Sequence, residues 1–264
     1  MPVPAIVLLG AIAGFTIFLG LPLARMRSLD REVKAFLSMF AAGVLLFLLA
    51  DVTSKMLEPI QNELAAIGKP GGNILPGMAS LVALVLGLFV GLVGIALLSG
   101  RLQGKSEPHE AQAREIRPET LSLFIAIGIG AHNLSEGLAI GQAAAAGSLS
   151  LAWVLIVGFG LHNMTEGFGI AAPLGGNPVS WRFLVLLGLI GGGPTFLGTI
   201  MGISFRSTLL FVFSLAFAAG AIIYVTLELL GSARKFKKPL CAWGLLVGFL
   251  LGLGTDLILT IAGT

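Results

Sequence analysis

Long apolar segments, separated by short polar connections, dominate the sequence and restrict the folds open to it. A helix needs about 20 apolar residues to cross the hydrocarbon core of a bilayer. The chain has 264 residues, of which 56% are hydrophobic and 11% are charged, a balance typical of membrane proteins. Eight segments reach the required length, at approximately residues 3–24, 35–54, 77–99, 120–145, 150–173, 182–204, 208–231 and 239–262.

We therefore predict an all-α membrane protein with eight transmembrane helices in a single domain, residues 1–264. A β-barrel is disfavoured because the apolar runs are continuous and do not alternate. The N-terminal segment has no basic region ahead of its apolar run, so we expect it to be the first span and not a cleaved signal peptide. A single cysteine, Cys241, excludes an internal disulfide.

The distribution of basic residues predicts the orientation of the spans. Of the 16 lysines and arginines, only Lys55, Lys69 and Arg206 lie in the connections after spans 2, 4 and 6. Under the positive-inside rule the opposite connections are cytoplasmic, and both termini of this multi-pass protein are extracytoplasmic in a plasma or bacterial inner membrane. The formal net charge of +3 is explained by this topology, and we expect no nucleic-acid partner.

One connection, residues 100–119 between spans 3 and 4, is long and polar. Its mixed charge predicts a flexible cytoplasmic loop. His109 lies in this loop among glutamates, where a solvated histidine is the expected role and a transient metal contact is the alternative.

A motif of the form HNxxEG occurs twice within the apolar segments, in GAHNLSEG at residues 130–137 and in GLHNMTEG at residues 160–167. Each copy places its His and Glu at i and i+4 on one helix face. Since the two helices are consecutive and antiparallel, their His and Glu side chains can converge near mid-membrane. The four candidate metal ligands are His132, Glu136, His162 and Glu166.

Burying these carboxylates without a partner costs about 3 kcal/mol each or more at mid-bilayer. A divalent cation removes that cost, and imidazole with carboxylate suits zinc, iron, manganese or cobalt. Two alternatives are a pair of buried hydrogen-bonded His–Glu couples and a proton relay through the same groups. Asn133 and Asn163 lie one step round each helix, where they can contact a ligand or a second ion, or simply bond a neighbouring helix.

A second repeat connects FAAGVLLFLLAD at residues 40–51 with FAAGAIIYVTLE at residues 217–228. The predicted topology runs these two spans in opposite directions, and inverted repeats are typical of alternating-access transporters. Asp51 then lies near the outer mouth and Glu228 near the inner one, as entry and exit stations for a cation. The alternative is a shared packing face with interfacial acids. Asp256 is a weaker candidate of the same kind.

These residues resemble the ZIP (Zrt-/Irt-like) family of divalent-metal transporters, and the resemblance covers essentially the whole chain. The doubled HNxxEG motif, the basic connection between spans 3 and 4 and the eight spans carry it. The resemblance implies metal influx, a 3+2+3 helix arrangement with inverted repeats, and a homodimer. It also implies that the four His and Glu residues form the principal transport site.

The chain departs from the family pattern at several positions. Ser135 and Thr165 stand where the family often has proline, so we expect straighter helices with hydroxyls bonded to the preceding turn. Thr195 stands where a glutamate often helps to hold a second metal, and the loop lacks a His-rich run. Glu136 and Glu166 together balance one divalent ion, so we predict a single occupied metal site.

The sequence thus predicts a transporter that moves zinc or another divalent transition metal as its substrate into the cytoplasm. The alternatives from other classes are an intramembrane metal-dependent hydrolase and a non-transporting metal sensor. A hydrolase needs an open coordination position and a further acid or base, and the sequence offers no obvious candidate for that group.

Overall fold

The structure is a computed structural model, which describes residues 2–25, 30–69, 72–102, 116–145, 149–175, 179–205, 207–233 and 236–262. His109 and most of the predicted loop at residues 100–119 lie outside these residues. The described segments are helical and contain no strand.

Ten α-helices account for most of the described chain. In chain order they are α1 Val3–Phe15, α2 Ile17–Gly20, α3 Arg31–Ala65, α4 Ile74–Phe89, α5 Ile95–Leu102, α6 Pro118–Ala145, α7 Leu149–Ala171, α8 Trp181–Ser204, α9 Thr208–Ala233 and α10 Lys238–Ala262. A 3₁₀ turn, Leu21–Arg25, follows α2, and a single π-helical turn, Val90–Gly94, joins α4 to α5.

Seven helical segments within the described residues are long and apolar enough to cross a membrane. They are Val3–Arg25, Arg31–Gly68, Ile74–Arg101, Pro118–Ala145, Trp181–Ser204, Thr208–Gly231 and Lys238–Ile258. The helix α7 has 23 residues, but its side chains are described only from Ile156 onward. The predicted all-helical membrane fold is therefore confirmed.

The helix α3 extends well beyond the predicted span at residues 35–54 and ends at Ala65. The added turns contain Lys55 and Pro59, which the sequence analysis placed in a connection. Because proline has no N–H, Pro59 cannot donate the usual helical hydrogen bond to the carbonyl of Lys55. A polar extension of this kind lowers the local hydropathy without ending the helix, which explains the difference.

Close helix contacts are made at matched positions along the chain. In the two motif helices, a side chain at Gly137 would meet the backbone oxygen of Thr195 on α8, and one at Gly167 would meet that of Ile17 on α2. Helices α1 and α8 in turn contact each other, where Gly192 faces the backbone oxygen of Gly14. Small residues permit such backbone approach in a membrane.

The two FAAG segments pack in the same manner on different partners. A side chain at Gly248 of α10 would meet the backbone oxygen of Phe40 on α3, and one at Gly91 would meet that of Phe217 on α9. The helix pairs α3–α10 and α4–α9 are among the most extensive contacts of the protein. The helix α6 packs most extensively against α8, then against α9 and α7, and most of its residues are buried.

Candidate metal centre

Two helices supply the buried His and Glu side chains. On α6, Nε2 of His132 lies 3.3 Å from Oε1 of Glu136. On α7, Nε2 of His162 lies 3.6 Å from Oε1 of Glu166. One helical turn separates the members of each pair, and an α-helix places such residues on one face.

Contacts between α6 and α7 bring three of these four side chains together. Ligand atoms of His132, Glu136 and His162 all lie within 4.8 Å of one another, and the two imidazole ring centres are 6.0 Å apart. In a tetrahedral zinc site with bonds of about 2.1 Å, ligand atoms lie about 3.4 Å apart. A contraction of at most about 1.4 Å between ligand atoms would therefore close this triad round an ion.

Several polar atoms of the cluster have no hydrogen-bond partner among the described residues. They include both ring nitrogens of His132, both carboxylate oxygens of Glu136, Nε2 of His162 and Oε1 of Glu166. All four residues are at most 4% exposed. Since an unsatisfied buried polar group costs about 1–3 kcal/mol, these atoms fit a cation that accepts their lone pairs.

Glu166 lies outside the triad because a neighbouring helix holds it. Nδ2 of Asn133 donates a hydrogen bond of 2.9 Å to Oε2 of Glu166 and one of 2.9 Å to the backbone oxygen of Gly191. One carboxylate oxygen of Glu166 is thus fixed, and only the other faces the cluster without a partner.

The second motif asparagine makes a different contact. Nδ2 of Asn163 donates to the backbone oxygen of Ala13 on α1 at 2.9 Å. The side-chain oxygens of Asn133 and Asn163 are buried without a partner in the described part of the chain. Both amides therefore donate hydrogen bonds to neighbouring helices, which is one of the two roles that the sequence suggested for them.

Asp51 adjoins the triad instead of standing apart from it. Its Oδ2 lies 3.9 Å from Nε2 of His132 and 2.8 Å from Nζ of Lys55, and its side chain is 10% exposed. Asp256 on α10 is half-buried and close enough to Lys55 to interact with it electrostatically.

Glu228, the predicted exit residue, belongs to a polar group on α9. Its side chain lies close enough to Tyr224 to interact with it, and Tyr224 likewise interacts with Ser99 of α5. The ring of Tyr224 packs edge-on against Phe124 of α6, with centroids 6.2 Å apart. The structure thus connects Glu228 to α5 and α6 through one tyrosine.

The motif hydroxyls bond to the preceding turn, as predicted. Oγ of Ser135 donates to the carbonyl of His132 at 2.6 Å, and Oγ1 of Thr165 donates to the carbonyl of His162 at 2.7 Å. Thr195 is fully buried with an unpartnered hydroxyl in the described structure. It accepts a hydrogen bond from Thr199 through its backbone oxygen at 2.9 Å.

Three neighbours of the cluster were not identified from the sequence. Oγ1 of Thr255 lies 3.4 Å from Nδ1 of His162, and the ring of Phe47 packs 6.3 Å from the same imidazole. The third is Lys55, which follows Asp51 by four residues, and this i, i+4 spacing of opposite charges was the available signal.

Comparison with known proteins agrees with the site. The family model for the ZIP zinc transporter matches residues 98–255, which include both motif copies. The zinc transporter ZupT of Chlorobaculum parvum (strain DSM 263 / NCIMB 8327) is 31% identical over 237 residues, covering 83% of this chain and 84% of that protein. With the doubled motif and the buried His/Glu cluster, these matches show that the chain belongs to the ZIP family of zinc transporters.

Proposed function

We propose that the chain carries a divalent metal ion, zinc foremost, across the membrane into the cytoplasm through the His/Glu cluster. The observation that supports this most directly is the buried triad His132, Glu136 and His162, whose ligand atoms lie within 4.8 Å of one another and include atoms without partners among the described residues. Glu166 completes the proposed principal site through its free oxygen Oε1.

The chemistry of these groups suits transient binding of a transition metal. Neutral imidazole and ionised carboxylate accept zinc, iron, manganese or cobalt, and binding displaces protons from any protonated ligand. Two carboxylates, those of Glu136 and Glu166, balance one divalent ion. We therefore propose one occupied site, with Asn133, Asn163 and Thr195 beside it.

We propose that Asp51 and Glu228 lie on the two sides of the transport pathway. Asp51 contacts His132 and so can pass an arriving ion directly to the triad. Glu228 occupies the corresponding position in the second FAAG segment, beside Tyr224. In this scheme rocking of the repeats alternately connects the triad to each side.

We also propose the finer architecture, eight spans in a 3+2+3 arrangement with inverted repeats. Matched contacts support it. The first residue of each FAAG segment, Phe40 or Phe217, faces a glycine of a neighbouring span, Gly248 or Gly91 respectively. The two FAAG spans therefore make equivalent contacts with different partners.

The central contacts correspond in the same way. Asn133 bonds the backbone of Gly191 on α8, and Asn163 bonds that of Ala13 on α1. The motif glycines Gly137 and Gly167 likewise face α8 and α2. A pseudo-twofold relation that exchanges α6 with α7, and α8 with α1 and α2, accounts for each pair of contacts.

The proposed orientation places both termini on the extracytoplasmic side of the cell membrane. Two contacts join connections that the positive-inside rule assigns to the cytoplasm. Nζ of Lys237 lies 2.7 Å from Oε1 of Glu32, and Nη1 of Arg25 donates to the backbone oxygen of Val179 at 2.7 Å. One chain supplies the whole triad, so the proposed metal site does not need a second copy. We propose a homodimer from the family resemblance alone.

Metal uptake into proteoliposomes that contain a metal-sensitive dye tests the proposal. Wild type should show saturable zinc entry, which His132→Gln or His162→Gln abolishes because each removes a nitrogen ligand of the triad. His109→Gln is the matched control, because it removes the third histidine of the chain from the polar loop, and uptake should be retained. Stoichiometric zinc binding without entry of any divalent ion would instead support a sensor.

A further inference from the structure

A positively charged side chain lies at the edge of the metal triad. Lys55 follows Asp51 by one turn of α3, and its Nζ lies 2.8 Å from Oδ2 of Asp51. The same Oδ2 faces Nε2 of His132 at 3.9 Å. One carboxylate oxygen therefore lies between an ammonium group and a metal ligand.

The ammonium of Lys55 also faces acidic groups on other helices. It is close enough to interact electrostatically with Glu136 on α6 and Asp256 on α10. It lies 5.9 Å from the centre of the Phe159 ring on α7, which offers a weak cation–π contact. Acidic residues of three helices, α3, α6 and α10, thus surround the ammonium of Lys55.

Lys55 has the freedom to leave this position. Its side chain is 36% exposed, against 10% for Asp51, so part of the lysine stem is not packed against other residues, whereas the Asp51 carboxylate is mostly enclosed. A lysine stem is flexible, and its hydrogen bond to Asp51 can be broken without disturbing the helix. Pro59 already removes one helical hydrogen bond at the carbonyl of Lys55.

The charges of the site decide what this contact does. Without a cation in the triad, the ammonium offsets the negative charge of Asp51 in a partly buried position. With a divalent ion beside His132, the same ammonium stands close to a second positive charge and repels it. The ion and the ammonium therefore compete for one carboxylate.

We propose that Lys55 is a tethered counter-cation that holds Asp51 while the triad is free of metal and is displaced from it by the incoming ion. It returns to Asp51 as the ion leaves, which weakens equilibrium binding and speeds release. Lys55 is thus a positioning residue that acts through Asp51. This proposal deepens the proposed transport function and rests on it.

Zinc affinity of the purified full-length protein, measured by isothermal titration calorimetry, tests the proposal. Lys55→Met removes the charge and keeps the stem, so its Kd should fall by about tenfold or more. Lys55→Arg keeps the charge and should bind zinc no more tightly than wild type. Lys237→Met, which breaks the exposed pair with Glu32, is the matched control and should change Kd by less than about threefold.

Transport kinetics separate this role from a structural one. In proteoliposomes Lys55→Met should lower both the KM for zinc and the maximal rate, because the ion binds more tightly and leaves more slowly. A residue that only stabilises α3 would lower the melting temperature and leave Kd unchanged, and that result overturns the proposal. Lys55→Gln serves as the second uncharged variant if the methionine variant does not fold.

The outcomes also distinguish this proposal from the one on which it rests. Wild type that binds no divalent ion overturns the proposed function itself. Wild type that binds and transports zinc, while both uncharged variants bind it with equal or weaker affinity, overturns only the role of Lys55.

Discussion

The first motif copy, residues 132–137 on α6, and the second copy, residues 162–167 on α7, have closely similar internal geometry. The His–Glu distances are 3.3 and 3.6 Å, and the hydroxyl-to-carbonyl bonds are 2.6 and 2.7 Å. Each motif glycine faces the backbone of a neighbouring helix. Local sequence therefore reproduces the same structural unit twice.

The two copies differ in the contacts that their polar groups make. Both oxygens of Glu136 lack a hydrogen-bond partner among the described residues, whereas Glu166 accepts a bond from Asn133. His132 faces Asp51, and His162 faces Thr255. The two copies of one sequence motif thus differ in how firmly the protein holds their carboxylates, and we expect the first copy to bind an ion more readily than the second.

The largest effect is expected at the two glutamates. Glu136→Gln should weaken zinc binding by about 100-fold or more, because it removes a negative charge from the triad. This loss exceeds the effect expected for a residue that only contacts a metal ligand. Glu166→Gln should cost about tenfold, since one of its oxygens already serves Asn133. Titration calorimetry measures both constants, and equal losses would contradict the division between the copies.

A smaller effect on stability is expected at the motif glycines, where the two copies should behave alike. Gly137→Ala and Gly167→Ala would each place a methyl group against a backbone oxygen, of Thr195 and Ile17 respectively. We expect each substitution to lower the free energy of unfolding by about 2 kcal/mol, because the added methyl group overpacks the helix contact. Gly193→Ala on α8 is the control, because its added carbon would have no described atom within 4 Å apart from its own chain neighbours and helix backbone.

Thermal unfolding in detergent, followed by circular dichroism, measures this loss. The two motif variants should melt well below wild type, and the control should melt at the wild-type temperature or slightly above it, since alanine favours a helix. A motif variant that melts with the control would show that its helix contact is dispensable.

The smallest effect is expected at the asparagines and separates affinity from stability. Both Asn133→Ala and Asn163→Ala lose an interhelical hydrogen bond, worth about 1 kcal/mol. Only Asn133→Ala also removes the bond that orients the Glu166 carboxylate towards the site, so its zinc Kd should rise by about tenfold. Unfolding and calorimetry on the same preparations check this, and an equal rise in Kd for Asn163→Ala would contradict it.

Most of the fold was accessible from the sequence because membrane helices are defined by long apolar runs. The predicted segments match the observed helices within a few residues at most ends, as at residues 182–204 against Trp181–Ser204. The exception is α3, which continues to Ala65 through polar residues. Hydropathy reports burial in lipid, and a helix can leave the apolar layer without ending.

The sequence by itself determined the pairing of each histidine with its glutamate, because the spacing of four residues is a local property of the α-helix. It also determined the back-bonded hydroxyls of Ser135 and Thr165. The doubled motif also predicted that the two helices bring their His and Glu side chains together. Tertiary structure alone decided that Glu166 lies outside the triad, that Asn133 holds Glu166, and that Asp51 and Lys55 lie at the triad. Those contacts depend on how helices rotate and cross, and close approaches between residues distant in sequence set that geometry.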